Sequence, residues 1–283
     1  MPHQASSRSY RLSSADYIED VRSIDLHSHI LPGVDDGPPT LSGSLELART
    51  AVAAGTGQIV ATPHINEDHF ISPLEVPAAV SALGERLAAA RIDLVVRAGG
   101  EIAMPRLLDL QDDELDSLGL GGGPYLLLES PFGIAVGAFE PLVHDVLRRG
   151  HRVLLAHPER SPAFQRDPER LTALIRSGVL VQITAGSITG SFGERVRRFT
   201  AQLLREDLVH VVASDAHNHD KRPPGLNDAV KAAEHDVPGI ADRTAWFTQD
   251  VPTAILAGES IPPSEPLPTA KRAGWRRLAA RVR

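Results

Sequence analysis

The chain has 283 residues, 42% hydrophobic and 23% charged, with a formal net charge of -7. That balance describes a globular chain and gives no basic field for nucleic acid. There is no cysteine, which excludes disulfides, thiolate-held metal and a cysteine nucleophile.

Met1–Asp20 is polar and lacks the apolar core of a signal peptide. Residues 1–20 are expected to form an N-terminal extension, and residues 21–260 one folded barrel domain. No window approaches the ~20 apolar residues of a membrane span, so a cytoplasmic protein is expected. Short runs rich in Val, Ile and Leu then recur at Val21–Leu26, Gln58–Ala61, Leu94–Arg97, Tyr125–Leu128, Arg152–Ala156, Val179–Ile183 and His210–Ala213. Such runs suit strands buried on both faces. Between them, helical spacing of apolar residues predicts helices over Leu41–Ala54, Leu74–Ala90, Phe139–Arg149, Pro168–Arg176 and Glu194–Arg205. Gly55, Gly150 and Gly178 each follow a helix and precede a strand, as C-terminal caps do. Seven strand–helix cycles predict an α/β fold, a (β/α)7 barrel of parallel strands.

The chain ends differently. Residues 261–283 read as a linker and tail. Ile261–Thr269 carries four prolines and should be stiff. Lys271–Arg283 carries six positive charges and one Trp. It is either a solvated basic tail or a short segment drawn to anionic lipid or an acidic partner.

Polar residues fall where each strand stops: His27 and His29, His64, Glu101, Glu129, His157, and Asp215 with His217. A parallel barrel brings all these ends to one face. Five of the twelve histidines lie just beyond strand ends. One histidine alone is weak evidence; five in this position are a pattern. Imidazoles mixed with carboxylates suit Mn, Fe or Zn, with Glu101, Glu129 and Asp215 as bridging candidates. His27-Ser-His29 directs two rings to one side, since strand side chains alternate. Asp36-Gly37 is either a plain turn or a loop that returns Asp36 to the cluster. Asp25 reads as a supporting or core-satisfied carboxylate. His210 begins a strand and should lie at the opposite face. The other histidines read as structural or solvent-facing.

These motifs resemble the polymerase-and-histidinol-phosphatase (PHP) superfamily. Within it they are most similar to the manganese-dependent protein-tyrosine phosphatases of bacterial capsule and exopolysaccharide operons. His29-Ile-Leu-Pro-Gly-Val-Asp-Asp-Gly37, His157-Pro-Glu-Arg160, Gln182-Ile-Thr, Phe192-Gly-Glu-Arg195, Ala213-Ser-Asp-Ala-His-Asn218 and Arg222-Pro-Pro224 carry the likeness, from about Ile24 to Gly258. The resemblance implies a distorted seven-stranded barrel holding two or three ions, usually Mn2+, with Fe or Zn as alternatives. Its ligands would be His27, His29, Asp36, His64, Glu101, Glu129, His157, Asp215 and His217. Arg160 and Arg222 would grip the phosphate through forked donors. From the residues alone, Arg160 could instead pair with Glu159 or Glu169, and Arg222 could be solvated. A metal-activated water would attack phosphorus directly, which agrees with the absence of cysteine.

The resemblance further implies a tyrosine-phosphorylated substrate, the tail of a membrane-associated bacterial tyrosine kinase. It places the protein at the inner membrane surface. Ser44-Leu-Glu46-Leu-Ala48 resembles a contact helix of ring-forming relatives, which implies a homo-oligomer. Rival expectations are a PHP-type enzyme for a small phosphomonoester, such as histidinol phosphate or a nucleotide, and a non-catalytic regulator. The wording around Phe192 and Arg222 favours the tyrosine phosphatases, and the complete ligand set disfavours a regulator.

Overall fold

The computed structural model describes residues 22–69, 71–133 and 137–268. The extension over residues 1–20 and the basic segment Lys271–Arg283 lie outside the described residues.

Among the described residues, nine parallel strands form two sheets: β1 (Ser23–Ser28), β2 (Thr56–Ala61), β3 (His64–Ile65), β4 (Val95–Ala98), β5 (Glu101–Ile102), β6 (Tyr125–Glu129), β7 (Arg152–Ala156), β8 (Leu180–Thr184) and β9 (Val211–Ala213). The smaller sheet runs β1-β2-β4 and the larger β3-β5-β6-β7-β8-β9. Nine strands occupy seven staves. Pro63 interrupts the second stave between β2 and β3, and Gly99-Gly100 interrupts the third between β4 and β5. Proline has no N–H to give the ladder. An added Cβ at Gly99 would sit 2.8 Å from a Val60 methyl, so only glycine allows that close packing.

The last stave returns to the first. Ser28 bridges to Ala216 in parallel. The His29 N–H donates to the Ala216 carbonyl, and the Asp215 N–H to the His27 carbonyl, both at 2.9 Å. At the other end of the molecule β4 pairs with β2 alone. This departs from the expectation that every strand is buried on both faces: Val95 is 52% exposed. The barrel is distorted at this gap, where the Leu120–Gly122 turn takes the place of a neighbouring strand.

Side chains alternate across the sheet, giving two packed sets. Leu26, Val60, Leu127, Leu154, Val211 and Ala213 form one, with Val251 and Ile255 from the helix Val251–Ala257. The other, including Leu128, Leu155, Ile183 and Val212, packs beneath helices that carry Leu47, Val143, Leu171 and Leu203. The helices follow the expected bounds closely. Leu41–Ala53 starts at Thr40, whose Oγ1 accepts from the Gly43 N–H. Gly150 and Gly178 have φ of 95° and 98°, the left-handed turn expected of helix caps. The predicted helix at Leu74 begins instead as a short 3-10 turn, Pro73–Glu75, before Val76–Ala89.

Residues 261–268 lie against the body. Leu267 packs on the core and the Trp246 indole donates to the Pro262 carbonyl at 3.0 Å.

Candidate metal centre

The strand ends converge as expected, and local irregularities aim the side chains. Along β1, Asp25 pairs with Ile59 but Ser28 with Ala61, so three residues span two. This irregularity spans Leu26 and His27, and such bulges commonly re-aim a side chain. His157 and Asp215 have left-handed backbones, with φ of 37° and 53°. Non-glycine residues pay ~1–3 kcal/mol for such conformations and keep them where the surroundings impose them. His157 directly follows the strand-end Ala156, Asp215 lies two residues beyond the strand-end Ala213, and both direct their side chains into the ring.

All nine expected ligand residues are brought together. They form four overlapping groups, each with candidate ligand atoms within 4.8 Å of one another: His29, Asp36, His64 and His217; His27, His29 and Glu101; His27, His157 and Asp215; and His64, Glu101 and Glu129. His27, His29, Glu101, His157, Asp215 and His217 are buried. Glu129 and His64 are partly buried and Asp36 is half exposed, so the cluster forms a cup open on one side.

The donor set fits divalent cations. The His27 and His29 Nε2 atoms face each other at 3.3 Å. His27 Nε2 also lies 3.4 Å from both Glu101 and Asp215. His157 Nδ1 is buried without a hydrogen-bond partner among the described residues, which is costly unless something coordinates it, while His64 Nδ1 and His217 Nε2 face carboxylate oxygens of Glu101 at 3.0 Å and Asp36 at 3.1 Å.

Charges inside the cup hold each other. Burial alone would lower the His29 pKa, yet hydrogen bonds to Asp215, Asp35 and Glu101 raise it well above its ordinary value. Burial acts upward on Glu101 and Asp215 and is outweighed, foremost by the nearby His27, so both stay well below the usual carboxylate range. Burial, and the charge of Glu101, push Glu129 up to about 7. In the bare cup the imidazoles can hold protons between carboxylates, so cations and protons compete for the same atoms.

Several supporting residues were not picked out from the sequence. Asp35 Oδ2 lies 2.7 Å from His29 Nδ1 and accepts the His64 N–H at 3.0 Å. Asp35 Oδ1 accepts the Gly37 N–H, an Asx turn. Of the Asp-Asp-Gly triplet, then, Asp36 faces the cluster while Asp35 stands behind it. Gln182 Oε1 lies 3.0 Å from His27 Nδ1 and so fixes that ring's tautomer. Gln182 was visible only as family wording. Asp25 accepts from the Ser214 and His27 N–H groups, the supporting role expected of it. His69, expected to be structural or solvent-facing, stacks on His64 with ring centroids 5.5 Å apart.

Arg160 pairs with neither Glu159 nor Glu169. Its Nη1 donates to Asp215 Oδ2 at 2.6 Å, and Arg222 Nη2 donates to the same oxygen at 2.5 Å. Glu159 is instead bonded to the Ser187 hydroxyl and the Thr184 N–H, and burial pushes it up to about 7. Both guanidiniums therefore stand at the lip of the cup, and each carries further donors beyond the one that meets Asp215.

Fold and cluster together define a class: a parallel α/β barrel whose strand ends build an imidazole–carboxylate cluster that could hold metal ions. More particularly, the chain belongs to the capsular polysaccharide synthesis CpsB/CapC family, which it matches over residues 23–245. It is 33% identical over 250 residues to the tyrosine-protein phosphatase YwqE of Bacillus subtilis, covering 88% of this chain and 97% of that one. It is 34% identical over 220 residues to the tyrosine-protein phosphatase CpsB of Streptococcus agalactiae, covering 74% and 88%. Among solved structures it is similar to one from work on YwqE of Bacillus subtilis and CpsB of Streptococcus pneumoniae, described as unique metal-dependent tyrosine phosphatases. The TM-score is 0.76 at 33% identity, covering 87% of this chain and 98% of that one. A histidinol phosphate phosphatase from Lactococcus lactis shares the fold, with a TM-score of 0.51 at 12% identity over 80% and 95% of the chains.

Proposed function

We propose that this chain is a metal-dependent protein-tyrosine phosphatase. Nine residues hold its cations: His27, His29, Asp36, His64, Glu101, Glu129, His157, Asp215 and His217. Two or three ions fit the overlapping groups, with Mn2+ foremost and Fe or Zn as alternatives. The observation that carries the reading is the convergence of these nine residues with two arginines at one lip. Bound there, divalent cations would supply charge neutralisation at the phosphoryl oxygens and an activated water.

The chain's own residues do the rest. Arg160 and Arg222 grip the phosphoryl oxygens from the lip. Their forked donors match a phosphate better than lysine would. Asp35 and Gln182 fix the ring orientations of His29 and His27. No side chain has to act as a nucleophile, and tyrosinate is a good enough leaving group to need no strong general acid.

The test is a substrate panel on the full chain with and without Mn2+: phosphotyrosine peptide, histidinol phosphate and nucleotides. Manganese-dependent turnover that favours the peptide supports the reading. A preference for histidinol phosphate or a nucleotide would overturn it.

The relatives' names also guide the setting. We infer that the substrate is a tyrosine-phosphorylated protein, foremost a membrane-associated tyrosine kinase of polysaccharide synthesis, met at the cytoplasmic membrane surface. Among the described residues no helix is long and apolar enough to cross a membrane. The basic segment Lys271–Arg283 would supply peripheral contact, and unchanged membrane fractionation after its deletion counts against that. Self-association through the helix Leu41–Ala53, which carries half-exposed Glu46, is checked by sedimentation of Glu46→Arg.

A further inference from the structure

Beside the cup stands an aromatic pair that takes no part in holding cations. The Arg160 guanidinium carbon lies 4.3 Å from the centroid of Phe192 and 5.3 Å from that of Phe132. The Phe132 ring also stacks on His157, with centroids 5.6 Å apart and planes 29° apart. Phe132 is nevertheless 46% exposed, the one aromatic among the large apolar side chains that stand exposed in the described residues.

Its position is built. Ser130 Oγ donates to the Ala156 carbonyl and Ser161 Oγ to the Pro131 carbonyl, at 2.5 and 2.6 Å. Both serines are buried. These two bonds tie down the backbone just before Phe132 and fasten it to β7 and the turn beyond. Among the described residues, its ring contacts are those with His157 and Arg160. Arg160 is already placed by Phe192 on one face and Asp215 at its tip.

Resting on the phosphatase reading, the geometry points to Phe132 as a stacking platform for the aryl group of the substrate, and so as a residue that selects aryl over alkyl phosphate esters. A phosphoryl group gripped by Arg160 is held beside this ring. The first ring of an aryl ester then comes within reach of the Phe132 face or edge, where aromatic pairs prefer centroids ~4.5–7 Å apart. A phosphoserine or phosphothreonine ester has no ring and gains nothing. The contact separates substrates by leaving group without touching the grip on the phosphate.

Two non-hydrolysable ligands isolate the ring. Phenylphosphonate and methylphosphonate both present a phosphoryl group, and only the first carries an aryl group. Their inhibition constants are measured with the Mn2+-loaded full chain on a phosphotyrosine peptide. In Phe132→Ala the preference for phenylphosphonate should fall about three- to tenfold, the size of one aromatic contact. The constant for methylphosphonate should stay within about twofold, and Phe132→Trp should keep the wild-type preference. Equal weakening of both ligands overturns the proposal, because Phe132 would then only support Arg160. An aryl preference that survives Phe132→Ala also overturns it and leaves the phosphatase reading intact. Failure of that reading appears separately, as wild-type protein that does not turn over the phosphotyrosine peptide with Mn2+.

Discussion

Asp35 holds His29 from behind, with its carboxylate 2.7 Å from the ring nitrogen that faces away from the cluster. The same carboxylate accepts the backbone N–H of His64, so one side chain fixes elements on two staves. Outer carboxylates of this kind typically contribute 10–100-fold in metal affinity. Asp35→Ala should therefore lose metal on dialysis at concentrations of free Mn2+ that leave the wild type loaded. Elemental analysis of the dialysed proteins checks this; equal metal content in both would show that His29 needs no such support.

Arg160 and Arg222 end on one oxygen of Asp215. Removing one preorganised donor to a developing oxyanion costs about 10²–10³ in kcat, and Arg160→Ala should fall in that range with bound metal unchanged. Because the two arginines share a partner, their effects should not add. The double variant should lose less than the product of the single losses, measured as kcat/KM on a phosphotyrosine peptide. Strict additivity would show that they act independently.

Gly37 has no room for a side chain. An added Cβ would lie 2.1 Å from the His29 carbonyl oxygen and 3.0 Å from the His29 Cβ. The obstacle is backbone, so it cannot swing aside. Gly37→Ala should displace Asp36 and His29 together, with loss of both metal and activity while far-ultraviolet circular dichroism stays near wild type. Gly84, by contrast, has open space around its Cα, and Gly84→Ala should leave activity unchanged.

His210 makes stability depend on pH at a distance from the cup. The Val181 N–H donates to its Nδ1 at 3.1 Å, so that nitrogen must keep its lone pair. Burial pushes its pKa down to about 4 from an ordinary 6.5. Above 6.5 the ring is neutral in folded and unfolded chains alike. As pH falls from 6.5 toward 4, only the unfolded chain takes the proton, and ~3 kcal/mol of stability is lost. Urea unfolding of metal-free wild type and His210→Asn at pH 7 and pH 4.5 measures this. The wild type should lose about that much more than the variant over the interval.

The fold and the clustering of imidazoles with carboxylates were legible in the sequence because both are periodic signals. Apolar runs ending in His or a carboxylate report strand ends, and parallel strands bring those ends together. Arg160 and Arg222 were legible only through the resemblance, since nothing in their neighbours' identities points to Asp215, which is 55 positions from Arg160. Asp35 was hidden because two adjacent aspartates look alike until the Asx turn sends one forward and one back. Phe132 was hidden because a lone phenylalanine after a strand is ordinary; its meaning lies in being left exposed beside His157. The break of two staves at Pro63 and Gly99-Gly100 depends on close packing across the ring, which no local pattern records.

The bond from Ser214 to Asp25 closes the ring across 189 positions of chain. A polypeptide emerging from the ribosome N-terminus first carries His27 and His29 long before Asp215 and His217 exist. Until β9 docks on β1, the early histidines lack Asp215 and His217, which complete two of the four groups. The full constellation is thereby tied to completion of the barrel. A truncated product ending before Asp215 should hydrolyse nothing.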